Sequence, residues 1–261
     1  MARRQIAGAR TIITGASSGI GRELARELAR QGAHLVITAR REERLAEVAE
    51  LTNSDPGEVY CLAGDITDRG FRQSLLQTAE DQLGGLDILI NNAGITGIGP
   101  FVEADEQRLR KIMEVNFFVP LETIRAAIPV LQKGNRPVIV NIGSVLGHRA
   151  VPNKSEYCAS KFAIHGFSDA LRAELAPHGI DVLLVSPSTT ESEIFDSAMG
   201  DSSQAAWSQR GAMSAATVAR LTVRAIRQGR HEVILSAGGK LLVWLDRLSP
   251  PIMNRLIARF A

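Results

Sequence analysis

Short apolar runs of four to six residues alternate with longer amphipathic stretches along most of this chain. The runs are Thr11–Thr14, His34–Thr38, Val59–Ala63, Leu86–Asn91, Pro137–Ile142, Asp181–Ser186 and Glu232–Leu235. They are continuously apolar rather than alternating, which is the pattern of strands buried on both faces in a parallel sheet. Between them, apolar residues recur at helical spacing: Ile20, Leu24 and Leu28 mark one helix, and further helices are expected over Arg41–Leu51, Phe71–Leu83, Glu103–Leu131, Glu156–Ala176 and Ala215–Arg227. Pro120 is expected to bend or interrupt the long helix, which should end after Pro129. Strands alternating with helices predict an α/β fold: a doubly wound parallel sheet of about seven strands covered on both faces, in a single domain spanning 1–261.

Two stretches leave the pattern. Residues 187–214 are polar and lack a period, and a loop of that length after a strand's C-terminal end reads as a substrate-binding loop, because open α/β sheets bind ligands there. Residues 240–261 form an amphipathic extension. Leu241, Trp244, Leu245 and Leu248 make one stripe and Met253, Leu256, Ile257 and Phe260 a second, with Pro250-Pro251 between them and Lys240, Arg247, Arg255 and Arg259 off the stripes. The stripes suit either packing against the body or a subunit partner, or peripheral contact with an anionic membrane surface.

Composition narrows the class. The chain is 45% hydrophobic and 22% charged, ordinary for a globular protein, and a net charge of +2 with no basic stripe argues against a nucleic-acid partner. Cys61 and Cys158 match no metal spacing, so reduced thiols, no disulfide and no metal are expected. Arg3 and Arg4 precede no apolar signal region, and no run of about 20 apolar residues is present to span a bilayer. The expected location is cytoplasmic, with the inner membrane surface within reach of the extension.

The first strand runs into Gly15-Ala16-Ser17-Ser18-Gly19-Ile20-Gly21 and then a helix. A glycine-rich turn between strand and helix can lay backbone N–H groups and the positive helix end against a phosphate. Further along, Tyr157 and Lys161 share a helical face, where an ammonium favours the phenolate of its neighbour. Ser144 follows the fifth strand directly, so its hydroxyl stands at the sheet's C-terminal edge, where it can donate to a carbonyl oxygen. Each feature alone is common: a glycine turn occurs without a nucleotide, and Y-x-x-x-K occurs on helix surfaces.

Together they are specific. Thr14 to Gly21, Asp65-Ile66, Asn91-Asn92-Ala93-Gly94, Asn116, Ser144, Tyr157 and Lys161 occur in the order and spacing of the short-chain dehydrogenases/reductases, with twelve residues between Ser144 and Tyr157. The chain resembles that family, in its single-domain Rossmann-like branch, over roughly residues 7–236. The resemblance implies that Tyr157 protonates a carbonyl oxygen in reduction and takes the proton back in oxidation. It implies that Ser144 polarises that oxygen, that Lys161 lowers the tyrosine pKa and binds the nicotinamide ribose, and that Asn116 maintains a water chain to Lys161 through a helix distortion. Ser17, Ser18, Gly19 and Ile20 would bind the cofactor with Gly15 and Gly21. Asp65 and Ile66 would border the adenine, and Asn92, Ala93 and Gly94 the adenosine side, with Asn91 tying strands together. Pro187, Thr190 and Ser192 would contact the nicotinamide end, although Ser188 stands where the family has glycine, so that backbone should avoid φ > 0.

The second strand ends Thr38-Ala39-Arg40-Arg41, with no acid to bind the 2′-hydroxyl of NAD, so NADP is the expected cofactor, with Arg40 on its phosphate and Arg41 in support. The expected reaction interconverts a small-molecule carbonyl and alcohol. Leu146, His148, Val151, Ile194, Phe195 and Trp207 are candidates for the pocket wall. A homodimer or homotetramer through helices 103–131 and 156–176 is implied by the resemblance. The alternatives are an NAD-linked alcohol dehydrogenase and, from another class, an inactive cofactor-binding scaffold.

Overall fold

The computed structural model describes residues 4–191, 199–200 and 212–260. All seven expected strands are present: β1 Arg10–Thr14, β2 His34–Ala39, β3 Val59–Ala63, β4 Ile88–Asn91, β5 Val138–Ile142, β6 Asp181–Ser186 and β7 Glu232–Ile234. They pair in parallel in the order β7-β6-β5-β4-β1-β2-β3. The chain winds outward from β1 through β3, then restarts at β4 on the other side of β1. The strand order therefore reverses between β1 and β4, the place where ligands bind in such sheets.

Consecutive residues of a strand face opposite ways, and the core divides accordingly. On one face Ile13, Ile37 and Ile90 pack with Leu24 and Leu28 of α1 (Gly19–Arg30), and with Val223 and Ile226 of the helix Ala215–Gln228. On the other, Ile12, Val36 and Leu89 pack with Leu75, Ile124 and Leu171. Those three come from the helices Arg69–Leu83, Val119–Leu131 and Ser155–Leu175. In chain order the helices are α1, α2 (Glu42–Thr52), α3 (Arg69–Leu83), α4 (Glu106–Met113), α5 (Val119–Leu131), α6 (Ser155–Leu175) and α7 (Ala215–Gln228), followed by α8 (Ala237–Leu248) and α9 (Pro250–Ile257).

The long helix expected over 103–131 is not continuous. A 3-10 turn at Phe101–Glu103 precedes α4, and a π-helical turn, Glu114–Phe118, joins α4 to α5. The irregularity thus lies just before Pro120, the second residue of α5, which has no N–H to give to the helical turn ahead of it. Pro129 lies inside α5, which closes two residues later.

The extension packs on the body through one face only. Its inward contacts are made by Gly239, Val243 and Met253, all buried, while the stripe Leu241, Trp244, Leu245 and Leu248 faces outward, with Trp244 59% exposed. Arg149 fastens the two helices to the body, donating to Asp246 Oδ1 at 2.8 Å and Asn254 Oδ1 at 2.7 Å. Packing against the body therefore uses one face of α8 and leaves the apolar stripe without an intramolecular partner among the described residues.

Candidate active site

The C-terminal ends of β1, β2, β4, β5 and β6 open into a single large cleft of about 2290 Å³. Ligand pockets for small molecules run to about 1,000 Å³, so there is room here for a dinucleotide and a second reactant.

The glycine turn forms its floor and is held from below. Gly15 has φ +67° and Gly19 φ +52°, a region side chains rarely enter. A Cβ on Gly21 would come within 2.2 Å of the Gly15 carbonyl oxygen, and one on Gly15 within 2.8 Å of Ala93 Cα. The turn is therefore packed too tightly for side chains at Gly15 and Gly21, and its backbone stands at the N-terminus of α1, where a pyrophosphate fits. Thr14 and Asn92 lock it to the β4 loop. Thr14 Oγ1 accepts from the N–H groups of Asn92 and Ala93, both at 3.0 Å, while Asn92 Nδ2 donates to the carbonyls of Thr14 and Gly15. The anchoring role of Thr14 was not legible in the sequence, since a threonine closing a strand carries no signal of what it bonds.

At the end of β2 both arginines line the cleft. Arg41, taken from sequence as a supporting residue, reaches across to the turn and donates to Ser17 Oγ at 3.1 Å and Ser18 Oγ at 2.9 Å. Arg40 is exposed and close enough to Asp65 to help hold its carboxylate below the usual range. The larger cause there is the bond Asp65 Oδ1 accepts from Thr67 N. The two guanidiniums thus act on different neighbours in the cleft, Arg41 on the glycine turn and Arg40 on Asp65.

The reacting end is built by β5 and α6. Lys161 is buried and donates from Nζ to the Ile142 carbonyl at 2.9 Å, which fixes the ammonium at the end of β5. It lies 5.6 Å from the centre of the Tyr157 ring, so the two side chains do face together. Tyr157 is half-buried, and its hydroxyl bonds to Ser144. Burial pushes the Tyr157 phenol up to about 12, with the bond to Ser144 acting the other way, and pushes the Lys161 ammonium down to about 8. In the protein alone, then, desolvation outweighs the expected acidification of the phenol by the lysine. Tyr157 is held as a neutral donor at ordinary pH. Ser144 Oγ also accepts from Leu146 N at 3.1 Å, which aims the hydroxyl from the turn after β5.

Asn116 sits in the π-helical turn, as the resemblance implies for a distorted helix. Its amide exchanges two bonds with Ile95, N–H to Oδ1 and Nδ2 to carbonyl, each 2.9 Å, and donates to Ser160 Oγ at 2.9 Å. It does not touch Lys161; it clamps the loop after Gly94 to α6 between Tyr157 and Lys161. Asn91 donates to Asn141 Oδ1 at 2.9 Å, joining β4 to β5.

Of the remaining candidates, Ile66, Gly94, Leu146, Val151, Pro187 and Thr190 line the cleft. Ser188 does not take a positive φ. His148 is a correction. It does not line the cleft: its side chain is 1% exposed, its Nε2 lies 2.9 Å from Ser186 Oγ, and its ring packs 4.3 Å from that of His165. Burial lowers it to about 4, which keeps it neutral. The turn after β5 reverses direction at Gly147, so Leu146 enters the cleft and His148 points behind it. Ser192, Ile194, Phe195 and Trp207 lie outside the described residues. Among the lining residues that the sequence did not single out are Lys154, just before α6, and Leu242 from the extension; Ile257, from the second apolar stripe, also lines the cleft.

Known proteins share this architecture. The profile of the short chain dehydrogenase family matches residues 9–202. The Xenopus laevis protein "Dehydrogenase/reductase SDR family member 7B" is 33% identical over 258 residues, covering 95% of this chain and 80% of its own. A Nostoc protein, "Ketoacyl reductase HetN", is 29% identical over 264 residues, covering 98% and 90%. A Burkholderia phymatum short chain dehydrogenase/reductase solved in complex with NAD superposes with a TM-score of 0.89 at 24% identity, covering 95% and 96%. A Sinorhizobium meliloti dehydrogenase/reductase does so with 0.81 at 29%, covering 90% and 97%.

Proposed function

Because the chain belongs to the short-chain dehydrogenase/reductase family, and is thereby an oxidoreductase that works between alcohols and carbonyls with a nicotinamide cofactor, we propose that it is an NADP(H)-dependent carbonyl reductase with Tyr157 as general acid. The observation that carries this reading is the convergence of Ser144, Tyr157 and Lys161 at one end of a cleft whose other end is a tightly packed glycine turn.

The cofactor supplies the hydride. Gly15, Ser17, Ser18, Gly19 and Ile20 would hold its pyrophosphate, Asp65 and Ile66 its adenine, and Asn92, Ala93 and Gly94 the adenosine side. Pro187 and Thr190 would border the nicotinamide. Arg40 and Arg41, with no carboxylate at the end of β2, favour a 2′-phosphate over a 2′-hydroxyl.

At the reacting end a neutral phenol is the form that can give up a proton, and Tyr157 is held neutral by burial. Ser144 donates to the carbonyl oxygen of the substrate and orients it toward the Tyr157 hydroxyl. As that oxygen gains charge, the proton passes from Tyr157, and the Lys161 ammonium stabilises the phenolate left behind. Asn116 keeps the turn of α6 that carries both groups against the β4 loop.

The substrate is a lipophilic carbonyl, a reading supported by Leu146, Val151, Leu242 and Ile257 in the cleft wall. The outward stripe of α8, flanked by Lys240, Arg255 and Arg259, supports peripheral contact with anionic lipid, and no described helix is long and apolar enough to cross a membrane. Exposed Phe118 and Phe162, at the start of α5 and on α6, support a homo-oligomer through those helices.

The test is a panel of long-chain aldehydes, ketones and sterols with NADPH and with NADH, read by cofactor absorbance for the full-length protein and Tyr157→Phe. Turnover with NADPH that vanishes in the variant is expected. Turnover retained in the variant removes Tyr157 from the mechanism, and equal use of NADH overturns the cofactor assignment.

A further inference from the structure

Behind the cleft wall, three side chains from three elements meet. His148 comes from the turn after β5, His165 from α6 and Glu232 from the start of β7, and one ligand atom of each lies within 4.8 Å of the others. We propose that these three residues form a metal site that takes a divalent ion of borderline softness, Zn²⁺ being the best fit.

Two imidazoles and one carboxylate are a donor set that suits Zn²⁺, leaving a fourth position open. Zinc bonds of about 2.0–2.2 Å set tetrahedral ligand spacings of roughly 3.4 Å. His148 Nε2 and Glu232 Oε1 are already 3.6 Å apart. Glu232 is partly exposed and stands on an edge strand.

The surroundings resemble the outer support of a metal site. His165 Nδ1 lies 3.0 Å from the Gly147 carbonyl, a contact that places the proton on Nδ1 and leaves Nε2 as the ligand nitrogen. Asp169 Oδ2 is 3.4 Å from that Nε2 and adds a second carboxylate next to the ion. Ser186 Oγ, 2.9 Å from His148 Nε2, now bonds to the nitrogen that the ion would take and would give it up on binding. His148 is deeply buried, which fixes its ring where the three side chains meet. Arg247 is a cation acting on His148, and the Asp169 carboxylate acts the other way.

An ion here would not touch substrate or cofactor. It would pin the turn that carries Ser144 to α6, one helical turn beyond Lys161, and both to β7. The inference is independent of the cofactor and the substrate. It departs from the sequence-based expectation of no metal, since ligands at 148, 165 and 232 share no motif spacing.

The experiment strips the full-length protein with a chelator, removes the chelator, and titrates Zn²⁺ by calorimetry with metal analysis and thermal unfolding in parallel. One Zn²⁺ per chain is expected, with a melting temperature raised by roughly 2–4 °C or more. His165→Gln and the edge-strand variant Glu232→Gln should each weaken binding at least about tenfold, whereas Cys61→Ser and His178→Asn should bind as the parent does. Absence of saturable binding, or binding undiminished in both ligand variants, overturns the site.

Discussion

The two walls of the cleft are made differently. The wall formed by β1, β2 and β4 is fixed by backbone and buried polar contacts: Thr14, Asn92 and Asn116 each satisfy two or more groups of neighbouring loops, and Gly15 and Gly21 pack so closely on their neighbours that a single methyl would collide. The opposite wall, formed by α8, α9 and the turn at Leu146, is apolar, and it is fastened largely by Arg149 and a few buried side chains. A buried polar contact has one good geometry and a high cost when broken, whereas an apolar surface tolerates many neighbours. One wall is therefore built to hold a single invariant molecule and the other to accept a range of shapes.

The sharpest test of the first wall is at the proton donor. Tyr157→Phe removes one oxygen and leaves the cradle untouched, so turnover should fall by about 10²–10⁴-fold while the dissociation constant for NADPH changes by less than about threefold. Stopped-flow turnover and fluorescence titration separate the two. Next in size is Gly21→Ala. The added methyl would meet the Gly15 carbonyl at 2.2 Å. The turn must shift, and NADPH affinity should weaken by about 10²-fold, on the scale of 1–3 kcal/mol for overpacking. An alanine variant that binds NADPH like the parent would mean that this wall is as adaptable as the other.

How much of each wall was legible in the sequence follows the same division. The strands, their parallel pairing, the glycine turn and the Ser144, Tyr157, Lys161 and Asn116 set were readable, because each depends on local periodicity or on a motif at fixed spacing. The direction of His148 was not. It depends on which way a three-residue turn leaves β5, and Leu146 and His148 look equally suited to the cleft when written in a line. In the extension the i, i+3, i+4, i+7 apolar stripe was readable, but not which way it faces: it is exposed, while Gly239 and Val243 make the contact. The balance between burial and charge at Tyr157 also lay beyond reach, since a sequence gives spacing but not desolvation.

Smaller effects sharpen the contrast at the adenosine end. Arg41→Ala removes the guanidinium tied to Ser17 and Ser18, and Arg40→Ala the one beside Asp65. Charged hydrogen bonds are worth about 1.5–3 kcal/mol, so each should cut the ratio of NADPH to NADH affinity by roughly 10–100-fold, and the double variant should lose the preference. Equal ratios in parent and double variant would assign the selectivity elsewhere. The pH profile is gentler still. Lys161 is charged below about 8 and neutral above, whereas Tyr157 keeps its proton to about 12. The value of kcat/KM for reduction should therefore decline, by up to about tenfold per pH unit, as pH rises past about 8. A profile flat to pH 10 would show that the ammonium is held more firmly than burial alone allows.

The smallest change in stability is expected on the adaptable wall, and it is the most informative about what that wall faces. Trp244 and Leu248 are 59% and 63% exposed and lie on the outer side of α8, so replacing both with serine removes apolar surface that the folded chain does not bury. Unfolding free energy should move by no more than about 0.5 kcal/mol, as for other surface substitutions. Turnover of a short, water-soluble aldehyde should be unchanged. Co-sedimentation with phosphatidylglycerol-containing vesicles at low salt should nevertheless fall several-fold, because interfacial binding scales with the apolar area inserted and with the basic residues around it. If the double variant loses several kcal/mol instead, the stripe is buried in a subunit contact and the lipid reading fails. If the parent itself does not sediment with anionic vesicles, the reading fails at once, and α8 is then a wall of the cleft and nothing more.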